Sequence, residues 1–207
     1  MKYENKIHEV KEYLTWLWYD IAFISLYGSQ NYDLNTPESD FDYKAVHVPT
    51  LDELVNNTKP VSKTLEFDGW QIDLKDIRIF TENICKMNPV YMETMYTENA
   101  IVYNDAMYWI IQERDNLMNE MQWLFMKGCH WQVLQKYHAF SHPYPSIKDK
   151  IDKYWYDPKQ LHHIVRLTHL MIDVQCGSIM FIPDDQIKEE MLGYKAEPVS
   201  LSEATEI

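Results

Sequence analysis

The sequence predicts an α/β (α+β) domain with a mixed β-sheet, followed by an all-helical C-terminal domain. Segments with the composition of β-strands occur only in the first half of the chain, and from Ala106 onward only helical patterns are found. In a chain of 207 residues, 46% apolar and 14% aromatic residues are typical of a folded protein with a substantial core. We therefore expect one domain over 1–105, a helical domain over 106–193 and a flexible tail over 194–207.

The first half alternates helices and strands. In chain order, the patterns predict a helix over 4–19, a strand over 21–27 that is apolar on both faces, a loop over 31–39, a strand over 41–48 and a short helix within 49–55. The dipeptide Asp68-Gly69 lies between two strand-like segments, and it favours the positive φ angles of a tight hairpin turn. These segments together predict a sheet of several short strands.

Helical spacing returns after Asp76. A helix is predicted to end before Pro89, because the residue before a proline disfavours helical geometry, and a short helix follows. Further helices are predicted over 106–126, 129–139 and 158–176.

Charge and cysteine content exclude several classes of protein. With 19 Lys and Arg against 32 Asp and Glu, the net charge of -13 repels a phosphate backbone, so long nucleic acid is an unlikely partner. Cys85, Cys129 and Cys176 lie far apart and predict neither a disulfide framework nor a zinc site. The chain shows neither a signal peptide nor an apolar run of membrane-spanning length. We expect a soluble, cytoplasmic protein.

Three aspartates suggest a metal site. Asp40 and Asp42 are two positions apart in a predicted strand, so both carboxylates face one side, where a hard cation such as Mg²⁺ or Mn²⁺ would neutralise them. Asp73 stands between apolar neighbours in a second strand and could complete a site for two ions about 3.5–4 Å apart. Asp73 would then be the candidate general base. Alone, an Asp-x-Asp pair is more often a solvated strand edge or a turn.

The joint pattern is more specific. A strand, then Gly28-Ser29, then Asp40-x-Asp42 and a further strand with Asp73 resembles the DNA polymerase β-like nucleotidyltransferase superfamily. The blocks YGSQNYDLNTPESDFDYKAVHVP, IDLKDIRIFTENICKMNPVYMETMY and YDPKQLHHIVRLTHLM are similar to one branch of predicted bacterial and phage nucleotidyltransferases.

This resemblance implies a catalytic domain over 1–105 and a role for each motif residue. Gly28 and Ser29 would contact phosphates, Asp40 and Asp42 would bind metal, and Asp73 would be the third carboxylate, with Glu66 as its rival. The chain departs from the branch at Asp33, where glycine is usual. Aspartate tolerates a left-handed backbone, but its charge would oppose a triphosphate.

The second half adds a cationic face. Lys159, His163 and Arg166 are at positions i, i+4 and i+7 of one predicted helix, so they share a face that suits the β- and γ-phosphates of a nucleotide. The alternative is a solvated face with a partly buried histidine.

The expected activity is metal-dependent transfer of a nucleoside monophosphate from a nucleoside triphosphate such as ATP to a hydroxyl group, with release of pyrophosphate. A small molecule or a protein is the expected acceptor. Two alternatives stay open: an antitoxin-type enzyme that adenylylates a partner protein, and a non-catalytic module of the same fold that binds nucleotide or protein.

Overall fold

The structure is a computed structural model that describes residues 3–36, 39–142, 144–196 and 198–207. The chain divides into two compact units, Met1–Gln122 and Trp123–Ile207, called here the N-terminal and C-terminal units. The assignment of a catalytic domain to 1–105 and a helical domain to 106–193 stays a prediction.

The N-terminal unit contains a mixed β-sheet together with helices, which confirms the predicted α+β class. Its strands are β1 Asp20–Tyr27, β2 Asp42–Val48, β3 Ser62–Phe67, β4 Trp70–Asp76 and β5 Ala100–Val102. They lie in the order β3-β4-β2-β1-β5. Strands β2 and β4 are parallel, and the other neighbouring pairs are antiparallel. The short edge strand β5 was not expected from the sequence.

The chain also contains ten α-helices in the part that the structure describes. Those that begin in the N-terminal unit are α1 Glu4–Trp16, α2 Leu51–Val55, α3 Ile77–Cys85, α4 Pro89–Tyr96, α5 Asp105–Gln112 and α6 Arg114–Phe140. Helix α6 extends past Gln122 and contains a non-helical residue, Met121, with φ -120° and ψ 21°. The later helices are α7 Lys148–Tyr154, α8 Pro158–Gln175, α9 Asp185–Ala196 and α10 Leu201–Glu206.

The two faces of the sheet differ. One face packs against α1 in a core whose largest fully buried members are Ile7, Leu14, Ile24, Leu26, Tyr43, Ile72 and Leu74. Burial of each such side chain contributes about 1.5–3 kcal/mol. The opposite face meets α3 and α4, where Phe80 lies 6.3 Å from Phe23 and 5.7 Å from Tyr91 between ring centroids. Polar side chains of β2 and β4 lie on this second face.

The described regular elements of the C-terminal unit are all helical. Where a flexible tail was expected, α10 begins at a capping box formed by Ser200 and Glu203, and Ala204 is buried. The Tyr156 hydroxyl donates a hydrogen bond of 2.9 Å to the carbonyl of Val199, which fixes the chain just before α10. In the described part of the chain, no helix combines the length and apolarity needed to cross a membrane.

Candidate active site

A tight turn follows β1. Gly28 has φ +74°, a left-handed value that a residue with a side chain rarely adopts. The Gly28 carbonyl accepts a hydrogen bond of 3.0 Å from the amide of Asn31, and the Ser29 carbonyl accepts one of 3.0 Å from the amide of Leu34. Leu34 is fully buried. The turn is therefore fastened to the core a few residues beyond Gly28-Ser29.

Asp33 lies in this turn and is exposed. Its φ is +56°, so the backbone is left-handed where the resembling branch usually has glycine. Aspartate reaches this conformation at a moderate cost because its short polar side chain is compatible with it.

Asp42 lies directly against Gly28. It is the first residue of β2, and the antiparallel register pairs it with Tyr27, the last residue of β1. A Cβ atom built on Gly28 would be 2.8 Å from Asp42 Oδ2, which is closer than real Cβ contacts. The structure therefore brings the glycine of the Gly-Ser motif and the second aspartate of the Asp-x-Asp motif together.

Asp40 precedes the strand. The sequence analysis placed both aspartates in one strand, but β2 begins at Asp42, so Asp40 belongs to the connecting segment, where it is exposed. The loop prediction also covers Pro37 and Glu38, which lie outside the described residues.

Asp73 is placed on the same sheet face as Asp42. The parallel register of β2 and β4 pairs Asp42 with Gln71 and Lys44 with Asp73, and alternate residues of a strand share a face. Its neighbours Ile72 and Leu74 point to the opposite side, into the core with α1. The alternation expected from the sequence is therefore present.

Two lysines contact the Asp73 carboxylate. Lys44 Nζ is 3.0 Å from Oδ2 and Lys75 Nζ is 2.8 Å from Oδ1. Burial acts to raise the pKa of Asp73, but the hydrogen bonds and charges of Lys75 and Lys44 outweigh it and hold the pKa below its ordinary value. A carboxylate in this setting is a weak base, and both of its oxygens already face cations.

Lys44 is the residue that sequence reasoning missed. It is only 7% exposed, and its ammonium lies 4.3 Å from the ring centroid of Tyr27 and 5.4 Å from that of Tyr91. Aromatic faces attract a cation at these distances. The signal was present, because a lysine two positions after Asp42 in the same strand must share the aspartate's face.

Glu66, the rival for the third carboxylate, lies farther away. It is exposed on β3, where it pairs with Gln71 of β4, so it shares the sheet face of Asp42 but stands one strand farther out. Two inter-strand spacings separate it from Asp42, about 10 Å. Position therefore favours Asp73 over Glu66 as the neighbour of Asp42.

A divalent metal needs several oxygen, nitrogen or sulfur donors close together. Among the described residues, no group of three or more His, Cys, Asp or Glu side chains is arranged to hold a metal ion. Asp40 and Asp42 offer carboxylate oxygens, and Mg²⁺ is commonly bound by one or two carboxylates together with substrate phosphates and water. Their chemistry is thus of the kind that a hard cation prefers, and metal binding by Asp40 and Asp42 stays a prediction. A role for Asp73 as third ligand or base stays a prediction, and its lysine contacts weigh against it.

The remaining predicted residues lie on α8, within the C-terminal unit. Lys159 is exposed, His163 is partly buried and Arg166 is buried. Burial is the largest cause that lowers the pKa of His163, to about 2, followed by the charges of Arg166 and of Lys136 on α6. Lys136 is a second residue that the sequence did not single out, because its proximity depends on packing between distant segments.

Comparisons with known proteins add little. No family model and no curated protein matches the sequence. Among solved structures, the chain is similar to a nucleotidyltransferase-like protein from Exiguobacterium sibiricum 255-15, with a TM-score of 0.34 and 11% sequence identity. The match covers 84% of this chain and 56% of that one, so the chain spans little more than half the length of that protein. A likeness this remote shows neither the family nor the function of this chain.

Proposed function

We propose that the protein is a metal-dependent nucleotidyltransferase, which moves a nucleoside monophosphate from a nucleoside triphosphate to a hydroxyl acceptor and releases pyrophosphate. One observation carries the proposal: the left-handed Gly28 lies so close to the carboxylate of Asp42 that a Cβ atom on residue 28 would be only 2.8 Å from Oδ2. This proximity of two motifs that are separated in sequence supports the proposal that they belong to one site.

Each residue of this site has a proposed task. Gly28 allows the backbone to pass close to Asp42, and the Ser29 hydroxyl is the proposed partner of a phosphate oxygen. Asp40 and Asp42 would hold a divalent cation, which when bound would lower the charge on the phosphates. Asp73 keeps the buried ammonium of Lys44 in place on the same sheet face.

The geometry gives the acidic pair a chemical rationale. Two carboxylates two residues apart repel each other, and a cation between them offsets that repulsion. Asp42 is fixed by strand pairing on both sides, to Tyr27 and to Gln71, so its carboxylate is held before any ligand arrives. A donor that is positioned in advance does not have to be ordered during the reaction.

The test is binding and transfer of each labelled nucleoside triphosphate with Mg²⁺ or Mn²⁺. Asp42→Asn should lower metal-dependent nucleotide binding at least tenfold and transfer by about 10²-fold or more. Asp20→Asn is the matched control, because Asp20 is exposed at the opposite end of β1 and the substitution removes the same charge. It should change both quantities less than twofold.

Two results would overturn the proposal. One is nucleotide binding that needs no metal and is the same in Asp40→Asn and Asp42→Asn as in the unmodified protein. The other is equal loss in Asp20→Asn and Asp42→Asn, which would reflect net charge and not the site. Mass spectrometry of the labelled products identifies the acceptor as a small molecule or a protein.

A further inference from the structure

The C-terminal unit contains a cluster of basic side chains from two helices. On α8, Lys159, His163 and Arg166 follow the i, i+4, i+7 pattern and therefore share one face. Arg166 is only 7% exposed. An ordinary solvated helix face does not bury its arginine to this degree.

Helix α6 brings a fourth member to this face. The amide of Asp157, the N-cap residue of α8, donates a hydrogen bond of 2.8 Å to the carbonyl of Phe140, the last residue of α6. The rings of Phe140 and Tyr156 stack with centroids 4.9 Å apart. Lys136 is one helical turn before Phe140, so this junction places it beside the first turns of α8.

We propose that Lys136 completes, with Lys159, His163 and Arg166, a site for a phosphate chain such as pyrophosphate or a triphosphate. The choice of a phosphate chain as the ligand rests on the proposed function. Several oxygens that each carry negative charge suit a set of ammonium, guanidinium and imidazole donors.

The electrostatics of the cluster support an anionic ligand. Burial first, and then the charges of Lys159 and Arg166, lower the pKa of Lys136, while Asp157 acts to raise it. The Asp157 carboxylate already accepts hydrogen bonds of 3.1 Å from the amide of Lys159 and from the side chain of Gln160. Cations that depress one another's protonation are stabilised when an anion arrives.

The experiment is calorimetric titration of the full chain with inorganic tripolyphosphate, without nucleotide or metal and at one fixed ionic strength. Lys136→Gln should weaken binding at least tenfold, and Lys136→Arg should restore most of the affinity. Lys127→Gln is the matched control: Lys127 is exposed on α6, about two and a half turns earlier, and so points to the opposite side of the helix. It should weaken binding less than twofold.

A spectroscopic measurement separates binding from a general loss of structure. Tripolyphosphate should raise the pKa of the His163 imidazole in NMR titrations of the unmodified chain, since a bound anion favours the protonated form. Circular dichroism checks that each variant is folded.

Four outcomes bear on the proposal. The absence of tripolyphosphate binding, or equal weakening by Lys136→Gln and Lys127→Gln, overturns it. Tenfold weakening confined to Lys136→Gln supports it. Tripolyphosphate binding by a chain that transfers no nucleotide would remove the proposed function and leave this site in place, so the two failures are distinguishable.

Discussion

Substitution of Gly28 by alanine isolates the contact on which the proposed function rests. Gly28 and Gly69 have nearly the same backbone, with φ +74° and +77°. Alanine at either position must adopt a left-handed conformation, which costs about 1–2 kcal/mol of the free energy of unfolding. The two sites differ in what a new Cβ would meet: Asp42 Oδ2 at 2.8 Å for Gly28, and no atom within 4 Å for Gly69.

The clash should disturb the site more than the fold. Oδ2 is the end of a side chain, so it can withdraw by rotation at a cost of about 0.5–1.5 kcal/mol. Thermal or urea unfolding should therefore show Gly28→Ala and Gly69→Ala to be destabilised by amounts that agree within about 1.5 kcal/mol. Because the withdrawn carboxylate leaves its position, metal-dependent nucleotide binding should fall at least tenfold in Gly28→Ala alone.

Two outcomes of these measurements would refute the reasoning. If Gly28→Ala binds metal and nucleotide as the unmodified protein does, the position of the Asp42 carboxylate does not matter to the site. If Gly69→Ala loses as much binding, the effect comes from backbone strain and not from the contact.

Three further predictions concern charge. Lys44→Met should lower the free energy of unfolding by about 1–3 kcal/mol, more than Lys75→Met, because Lys44 is the more deeply buried hydrogen-bond partner of Asp73. Because the pKa of Asp73 is lowered in the folded state, its ionised form stabilises the fold above the ordinary carboxyl pKa, and this contribution is lost as the pH falls. Lys44→Met should therefore move the midpoint of acid unfolding to higher pH. An unchanged midpoint would contradict the pairing. Asp33→Gly should retain or gain stability, by up to about 1 kcal/mol, and should tighten nucleotide binding, whereas weaker binding would count against a triphosphate near this turn. His163→Gln should reduce the loss of stability between pH 7 and pH 5 by about 2 kcal/mol, because the unfolded imidazole takes up a proton in this range and the folded one does not. Burial, and then the charges of Arg166, Lys136, His162 and Lys159, keep the folded imidazole neutral by lowering its pKa. Equal pH profiles of the two proteins in urea unfolding would refute this.

Local chemistry explains what the sequence predicted well. The hairpin was predicted from Asp68-Gly69, and both residues have positive φ, 50° and 77°, as a tight hairpin turn requires. The helix stop before Pro89 and the start of α8 at Pro158 follow from the restricted backbone of proline. Each of these signals lies within a few residues of the structure that it determines.

Features that depend on distant segments were missed. The edge strand β5 has only three residues, and its pairing with β1 is long-range. Two helices were predicted on either side of Gly128, but α6 continues through it, because a single glycine costs a helix only about 1 kcal/mol. The contacts of Lys44 with Asp73 and of Lys136 with α8 required the register of parallel strands and the junction at Phe140.

The pairing of Tyr27 with Asp42 has a consequence for the length of the segment between them. The connecting segment leaves and re-enters the sheet at partner residues, so its two ends are held at a fixed separation whatever its length. Its first part is anchored by buried Tyr32 and Leu34, which leaves the stretch between Leu34 and Asp42 as the place for insertions. Doubling a loop costs only about 0.6 kcal/mol in closure entropy. A longer segment would therefore cost the fold little while the geometry at Gly28 stays constant.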